Sequence, residues 1–119
     1  MNVVVADKFE RVGLDGLAAI GCNVTNAPET PADGLAAVVN DARAEVLVVR
    51  SKKVTALSIE GMRGVRLIIR AGAGYDNIDL NAASKAGIAV ANCPGMNAVA
   101  VAELAIGHLI NLDRRIPEQ

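Results

Sequence analysis

Five short apolar runs, separated by longer stretches of helical period, constrain this chain more than any other feature of its sequence. They are Val3-Val4-Val5, residues 22–25, Val46-Leu47-Val48-Val49, Leu67-Ile68-Ile69 and Ile88-Ala89-Val90. The third is apolar at every position. A strand of that kind keeps both faces out of water, the pattern of a parallel sheet between helical layers rather than of a sheet with one wet face.

The segments between the runs read as helices. Phe9, Val12, Leu14, Leu17 and Ile20 fall at helical spacing and end at Gly21, although Gly13 and Gly16 lower the propensity of that stretch. Thr30-Pro31 predicts an N-cap and a first-turn proline with Asp33 as an imperfect capping-box partner, and Leu35, Val38, Val39 and Ala42 form the buried stripe that follows. Residues 55–62 predict a short helix. Asp79 predicts the cap of another that runs through Lys85 and stops at Gly87, and Asn97 caps a last helix reaching Arg115 before Pro117, roughly 27 Å long.

Alternating strands and helices demand right-handed crossovers and helices on both sheet faces. The expected fold is therefore a single α/β domain, a flavodoxin-like, doubly wound parallel five-stranded sheet of order 2-1-3-4-5. The length of 119 residues suits one domain, and with 52% apolar but only 2% aromatic residues the core must be built from Val, Ile, Leu and Ala. A net charge of −1 and the lack of a basic cluster argue against nucleic acid or an anionic membrane as partner. The longest apolar stretch, residues 98–110, contains Glu103 and His108 and is too short to span a bilayer. No basic segment leads into an apolar one at the amino terminus, so the expected setting is cytoplasmic. Cys22 and Cys93 show no metal-ligand spacing; free thiols are the simpler reading, a bridge the other.

Open sheets of this kind bind ligands outside the carboxyl ends of their strands, near the point where the strand order reverses. Those ends carry Asp7, Arg50-Ser51, residues 70–74 and Asn92-Cys93-Pro94. A guanidinium at Arg50 can take a carboxylate or phosphate in two-pronged fashion, with the Ser51 hydroxyl adding a hydrogen bond; the plain alternative is a surface arginine beside a loop serine. Gly72-Ala73-Gly74 lets backbone approach an anion, or simply makes a strand-to-helix turn; Asn77 stands where a dinucleotide fingerprint needs its third glycine. Asn97 has an N-cap role whatever else it does. Cys93 has no base near it in sequence, His108 lies mid-helix among apolar residues, and turn and cap duties explain Asp76 and Asp79. None of these predicts a catalytic residue or a metal site.

The run VLVVRS, followed by LIIRAGAGYDNIDLNAASKAGIAVANCPGMNAVAVAELAIGHLINLDRRIP, resembles the D-isomer-specific 2-hydroxyacid dehydrogenases, their D-3-phosphoglycerate dehydrogenase branch most of all. The resemblance covers residues 46–117; the first 45 residues are compatible in pattern without carrying a signature. It implies that residues 1–97 are a substrate-binding lobe and residues 98–119 an interdomain helix. It puts Arg50, Ser51, Gly72, Ala73 and Gly74 on a small 2-hydroxy or 2-oxo acid. Ala73 also lies close to the nicotinamide of NAD, Asn97 and Val101 are secondary contacts at the cleft, and Tyr75 and Asn77 hold the loop in shape. Family members continue into a nucleotide-binding domain that supplies the catalytic arginine, acid and histidine. The sequence has none of these beyond Gln119, so the expectation is a lobe without dehydrogenase activity of its own, which binds NAD weakly if at all.

Particular residues argue against two other classes. A phosphoacceptor receiver needs an aspartate ending the third strand, where Arg50 stands, and a flavin carrier needs a hydroxyl-rich loop after the first strand and aromatic walls, where Asp7-Lys8-Phe9 stands. A structural reading, an excised or remnant domain that assembles with itself, draws on the last helix. Val99, Val101, Leu104, Ile106, Leu109, Ile110 and Leu112 set apolar groups around most of its circumference, which predicts a homodimer through residues 98–115.

Overall fold

A computed structural model describes residues 2–8, 11–19, 21–71, 77–92 and 107. Its five strands are β1 (Asn2–Val5), β2 (Asn23–Asn26), β3 (Val46–Val49), β4 (Leu67–Arg70) and β5 (Ala89–Asn92). They form one parallel sheet in the order β2-β1-β3-β4-β5, as the alternating pattern predicts. The helices are α1 (Arg11–Ala19), α2 (Leu35–Asp41), α3 (Ala56–Gly61) and α4 (Leu80–Lys85). Of the last expected helix only Gly107, helical and exposed, is among the described residues.

The two-residue period of each strand divides the core into two layers. Val3, Val5, Val46, Val48, Leu67, Ile69 and Ala91 point to one face, where Leu17 of α1 and Cys22 pack on them. Val4, Leu47, Val49 and Ile68 point to the other, against Leu35 and Val39 of α2, Ile59 of α3 and Ala83 of α4. Every residue of β3 is buried, which is why that run shows no alternation. Each Val, Leu or Ile fully removed from water contributes about 1.5–3 kcal/mol, so this two-sided core is what holds short helices in place.

Three helix ends share one device. Gly21 and Gly87 take φ of 93° and 74° after α1 and α4, turning the chain through the left-handed region so that Cys22 N–H reaches Leu17 O at 3.1 Å and Ile88 N–H reaches Ala83 O at 2.9 Å. After α2 the same turn is made by Arg43, at φ 52°, with Ala44 N–H on Val39 O at 2.8 Å.

Local departures from the sequence expectations have local causes. Thr30 does not cap a helix: its hydroxyl donates to Ala27 O at 2.8 Å, and a single 3-10 turn (Ala32–Gly34) intervenes before α2. The Thr hydroxyl finds a carbonyl three residues back, which competes with capping. Cys22 precedes β2 and fills the core under α1, and Ile88 likewise precedes β5. The expected cap at Asp79 is present, its Oδ1 accepting from Ala82 N–H at 3.0 Å, and the short helix expected over residues 55–62 is capped by Thr55, whose Oγ1 accepts from Ser58 N–H at 3.3 Å.

Candidate functional site

Strand register levels the carboxyl edge of the sheet. Val49 is opposite Arg70, and Arg70 opposite Asn92. On the other side Val5 is opposite Val48, so Asp7 and Arg50 emerge side by side between β1 and β3, where the strand order reverses.

The turn after β3 is gripped from several directions. Asp7 Oδ2 accepts three consecutive N–H groups, from Arg50 at 2.9 Å, Ser51 at 3.0 Å and Lys52 at 2.9 Å. Its Oδ1 accepts Lys8 N–H at 2.8 Å. Successive amides turned to one point make an anion-binding concavity, and here the protein's own carboxylate fills it. Burial works to raise the Asp7 pKa, but the amides of Arg50, Lys52, Lys8 and Ser51 together outweigh it and hold the carboxyl below its ordinary value.

Asn77 takes the opposite poles of the same turn. Its Nδ2 donates to Arg50 O at 3.1 Å and Lys52 O at 2.8 Å, while its Oδ1 accepts from Arg70 Nε at 2.8 Å. Backbone bonds join the same segments: Val54 N–H donates to Asn77 O at 2.7 Å, and Asp79 N–H to Val54 O at 3.0 Å. The Lys52 ammonium is turned away to the carbonyls of Pro28 and Thr30. It is therefore engaged in holding the β2 connection, not free for a ligand.

Arg50 and Ser51 are exposed on this fixed backbone. Among the described residues, no hydrogen bond or ion pair engages the Arg50 guanidinium or the Ser51 hydroxyl. The arrangement offers two side-chain donors for an anion, with the amides beneath them already committed. The amides of residues 50–52 are thus closed to an anion, and the donors left for one on these residues are their side chains.

Of the other residues singled out from sequence, Gly72, Ala73, Gly74, Tyr75, Asp76, Cys93, Asn97, Val101 and His108 lie outside the described residues. Asn77 does hold the loops together, and Asp79 caps α4. Cys22 is a buried free thiol whose pKa burial pushes up, unsuited to a nucleophile. The roles of Asp7 and Lys52 were not read from sequence. The available signal was a carboxylate two residues past a buried strand, next to the strand that ends in Arg50. An open groove of about 340 Å³ lies between α3 and α4, lined in part by Ala56, Glu60, Asp79 and Lys85. Neither Arg50 nor Ser51 reaches it, and Asp79 is engaged as a cap. No cluster among the described residues could hold a metal ion.

The family model for the catalytic domain of D-isomer specific 2-hydroxyacid dehydrogenases matches residues 3–107. The D-3-phosphoglycerate dehydrogenase of Archaeoglobus fulgidus is 37% identical over 119 residues, 99% of this chain and 22% of that protein. The hydroxypyruvate reductase of Thermotoga maritima is 51% identical over 73 residues, 60% of this chain and 24% of that protein. Among solved structures, the PH0520 protein of Pyrococcus horikoshii superposes with a TM-score of 0.72 at 33% identity, over 98% of this chain and 34% of that one. The NAD+-bound 3-phosphoglycerate dehydrogenase of Entamoeba histolytica gives 0.71 at 35% identity, over 93% of this chain and 38% of that one. The chain spans less than a quarter of the length of these two curated relatives.

Proposed function

The chain belongs to the D-isomer-specific 2-hydroxyacid dehydrogenase family, and from that premise we propose that it is the substrate-binding lobe of an NAD-dependent enzyme acting on D-3-phosphoglycerate. Residues 1–97 form the lobe and residues 98–119 the helix leading to a nucleotide-binding domain. The observation that carries this reading is the pair of side-chain donors, Arg50 and Ser51, unengaged among the described residues and set on a turn whose three amides are held by Asp7.

Arg50 takes the substrate carboxylate with two parallel N–H donors, and Ser51 adds a hydroxyl to the same anion. Gly72, Ala73 and Gly74 let the next loop approach the acid closely, with Ala73, Asn97 and Val101 on the side where nicotinamide would lie. NAD would supply a hydride acceptor. The described residues do not fit it: β1 runs into Asp7-Lys8 rather than a glycine turn, and the amides that could cradle a phosphate are turned to Asp7. The part of this chain is to bind and orient the acid. Hydride transfer needs cofactor, substrate and a base held together, and no residue here is assigned the base.

The same reading includes a cytoplasmic protein without nucleic-acid or membrane partners, and a homodimer through residues 98–115. Two facts favour it: no helix among the described residues is long and apolar enough to cross a membrane, and the sequence sets apolar groups around most of residues 98–115.

Titration with 3-phosphoglycerate, followed through backbone amide resonances, tests the grip. Residues 50–52 should shift in the wild-type chain, and Arg50→Ala should weaken that response about tenfold or more, the loss of a charge-assisted pair. An unchanged response in Arg50→Ala removes the reading.

A further inference from the structure

Arg50 and Ser51 can meet an anion in a fixed orientation only if the backbone that carries them is itself fixed. A turn outside a sheet normally leaves its N–H groups to water, and its side chains then sample many directions. Here three N–H groups of that turn converge on a single oxygen of Asp7, a residue 43 positions earlier in sequence for Arg50. Donors aimed at an ionised acceptor make roughly twice the interaction of neutral pairs. The second carboxylate oxygen is held by Lys8 N–H, so the Asp7 side chain is anchored at both oxygens and cannot swing away without losing four hydrogen bonds.

The same contacts have a second consequence. Amides after β3 that would otherwise attract the carboxylate or phosphate of a small acid are already satisfied, so an incoming anion is directed to the side chains above them. A backbone anion site accepts any small anion of suitable size, whereas a planar guanidinium with a neighbouring hydroxyl favours a carboxylate or phosphate presented edge-on.

We infer that Asp7 is a positioning residue for substrate recognition: it orders residues 50–52 so that Arg50 and Ser51 face the acid, and it withholds the amides beneath them. This rests on the reading of Arg50 and Ser51 as the substrate grip. Asp7 touches neither substrate nor cofactor in this role and acts through the turn alone.

Amide hydrogen exchange and 3-phosphoglycerate titration of the 119-residue chain separate the possibilities. In Asp7→Ala the amides of Arg50, Ser51 and Lys52 should exchange about tenfold or more faster, while those of β3 and β4 keep their protection. The response to 3-phosphoglycerate should fall about tenfold in the same variant. Asp7→Asn keeps an acceptor oxygen for the three amides but sets an NH2 group against Lys8 N–H, so it should restore part of both properties. It also stands in where Asp7→Ala does not fold. Arg50→Ala should lose the ligand response with the exchange of residues 51 and 52 unchanged. Exchange of the turn that is the same in wild type, Asp7→Ala and Asp7→Asn overturns the positioning role alone. A wild-type chain with no ligand response, or an Arg50→Ala chain with a normal one, overturns the substrate grip and the positioning role with it.

Discussion

Arg50 and Ser51 stand exposed at the end of the central strand, yet their backbone is held from two sides. Asp7 takes the amides of residues 50–52, and Asn77 takes the carbonyls of Arg50 and Lys52. Because folding holds the Asp7 carboxyl below its ordinary value of 3.8, the folded state favours its ionised form. The stability this contributes is fully present above the unfolded value and disappears as pH falls through the lower folded one. Melting temperature measured from neutral pH down to about pH 3 should therefore fall in the wild type, and the acid limb should be shallower in Asp7→Asn, which has no charge to lose. Parallel acid limbs would contradict it. Arg50-Ser51 was legible in the sequence because strand and loop residues adjoin there. Asp7 was legible only as a strand-end residue, since three of its four partners lie more than forty positions away.

At the level of elements, the helix ends separate what local sequence dictates from what it does not. Gly21 and Gly87 announce their turns, whereas Arg43 occupies the left-handed region with a side chain attached, at a cost of about 1–2 kcal/mol. Part of that is returned as chain entropy in the unfolded state, so Arg43→Gly should raise stability by about 0.5–1 kcal/mol in urea unfolding. The opposite sign is expected at Gly61, where α3 crosses α2. A Cβ there would lie 2.9 Å from the Ala36 Cβ, so Gly61→Ala should destabilise by about 1–3 kcal/mol as the two helices are forced apart. The cap at Asp79 followed from sequence because capping is an interaction over three residues. The failed cap at Thr30 shows the limit: its hydroxyl had two nearby backbone partners, and the path of the chain into the 3-10 turn selected one.

Across the whole molecule, the two-layer core requires only that strand residues alternate faces and that helices return over the sheet. Removing Leu47, buried at the centre of one layer, should cost about 2–5 kcal/mol as Leu47→Ala in the same unfolding experiment. The proposed role as a lobe predicts no NADH formation from 3-phosphoglycerate and NAD by the 119-residue chain alone; measurable turnover would overturn that part of the proposal. Light scattering should give a dimer, and a monomer would remove the proposed assembly through residues 98–115. The sequence by itself determined the strand positions and the two-sided burial, because a residue's periodicity and its neighbours within a few positions carry that information; the order 2-1-3-4-5 followed from the flavodoxin-like winding that suits a chain of this length. It also brought Arg50 and Ser51 to the carboxyl edge. Only the tertiary structure decided that Asp7 closes the amides of that turn, that Asn77 braces its carbonyls and that Lys52 is withdrawn to Pro28 and Thr30. Those contacts join separate crossovers, and no local pattern encodes a pairing that exists only after the sheet has brought the strand ends together.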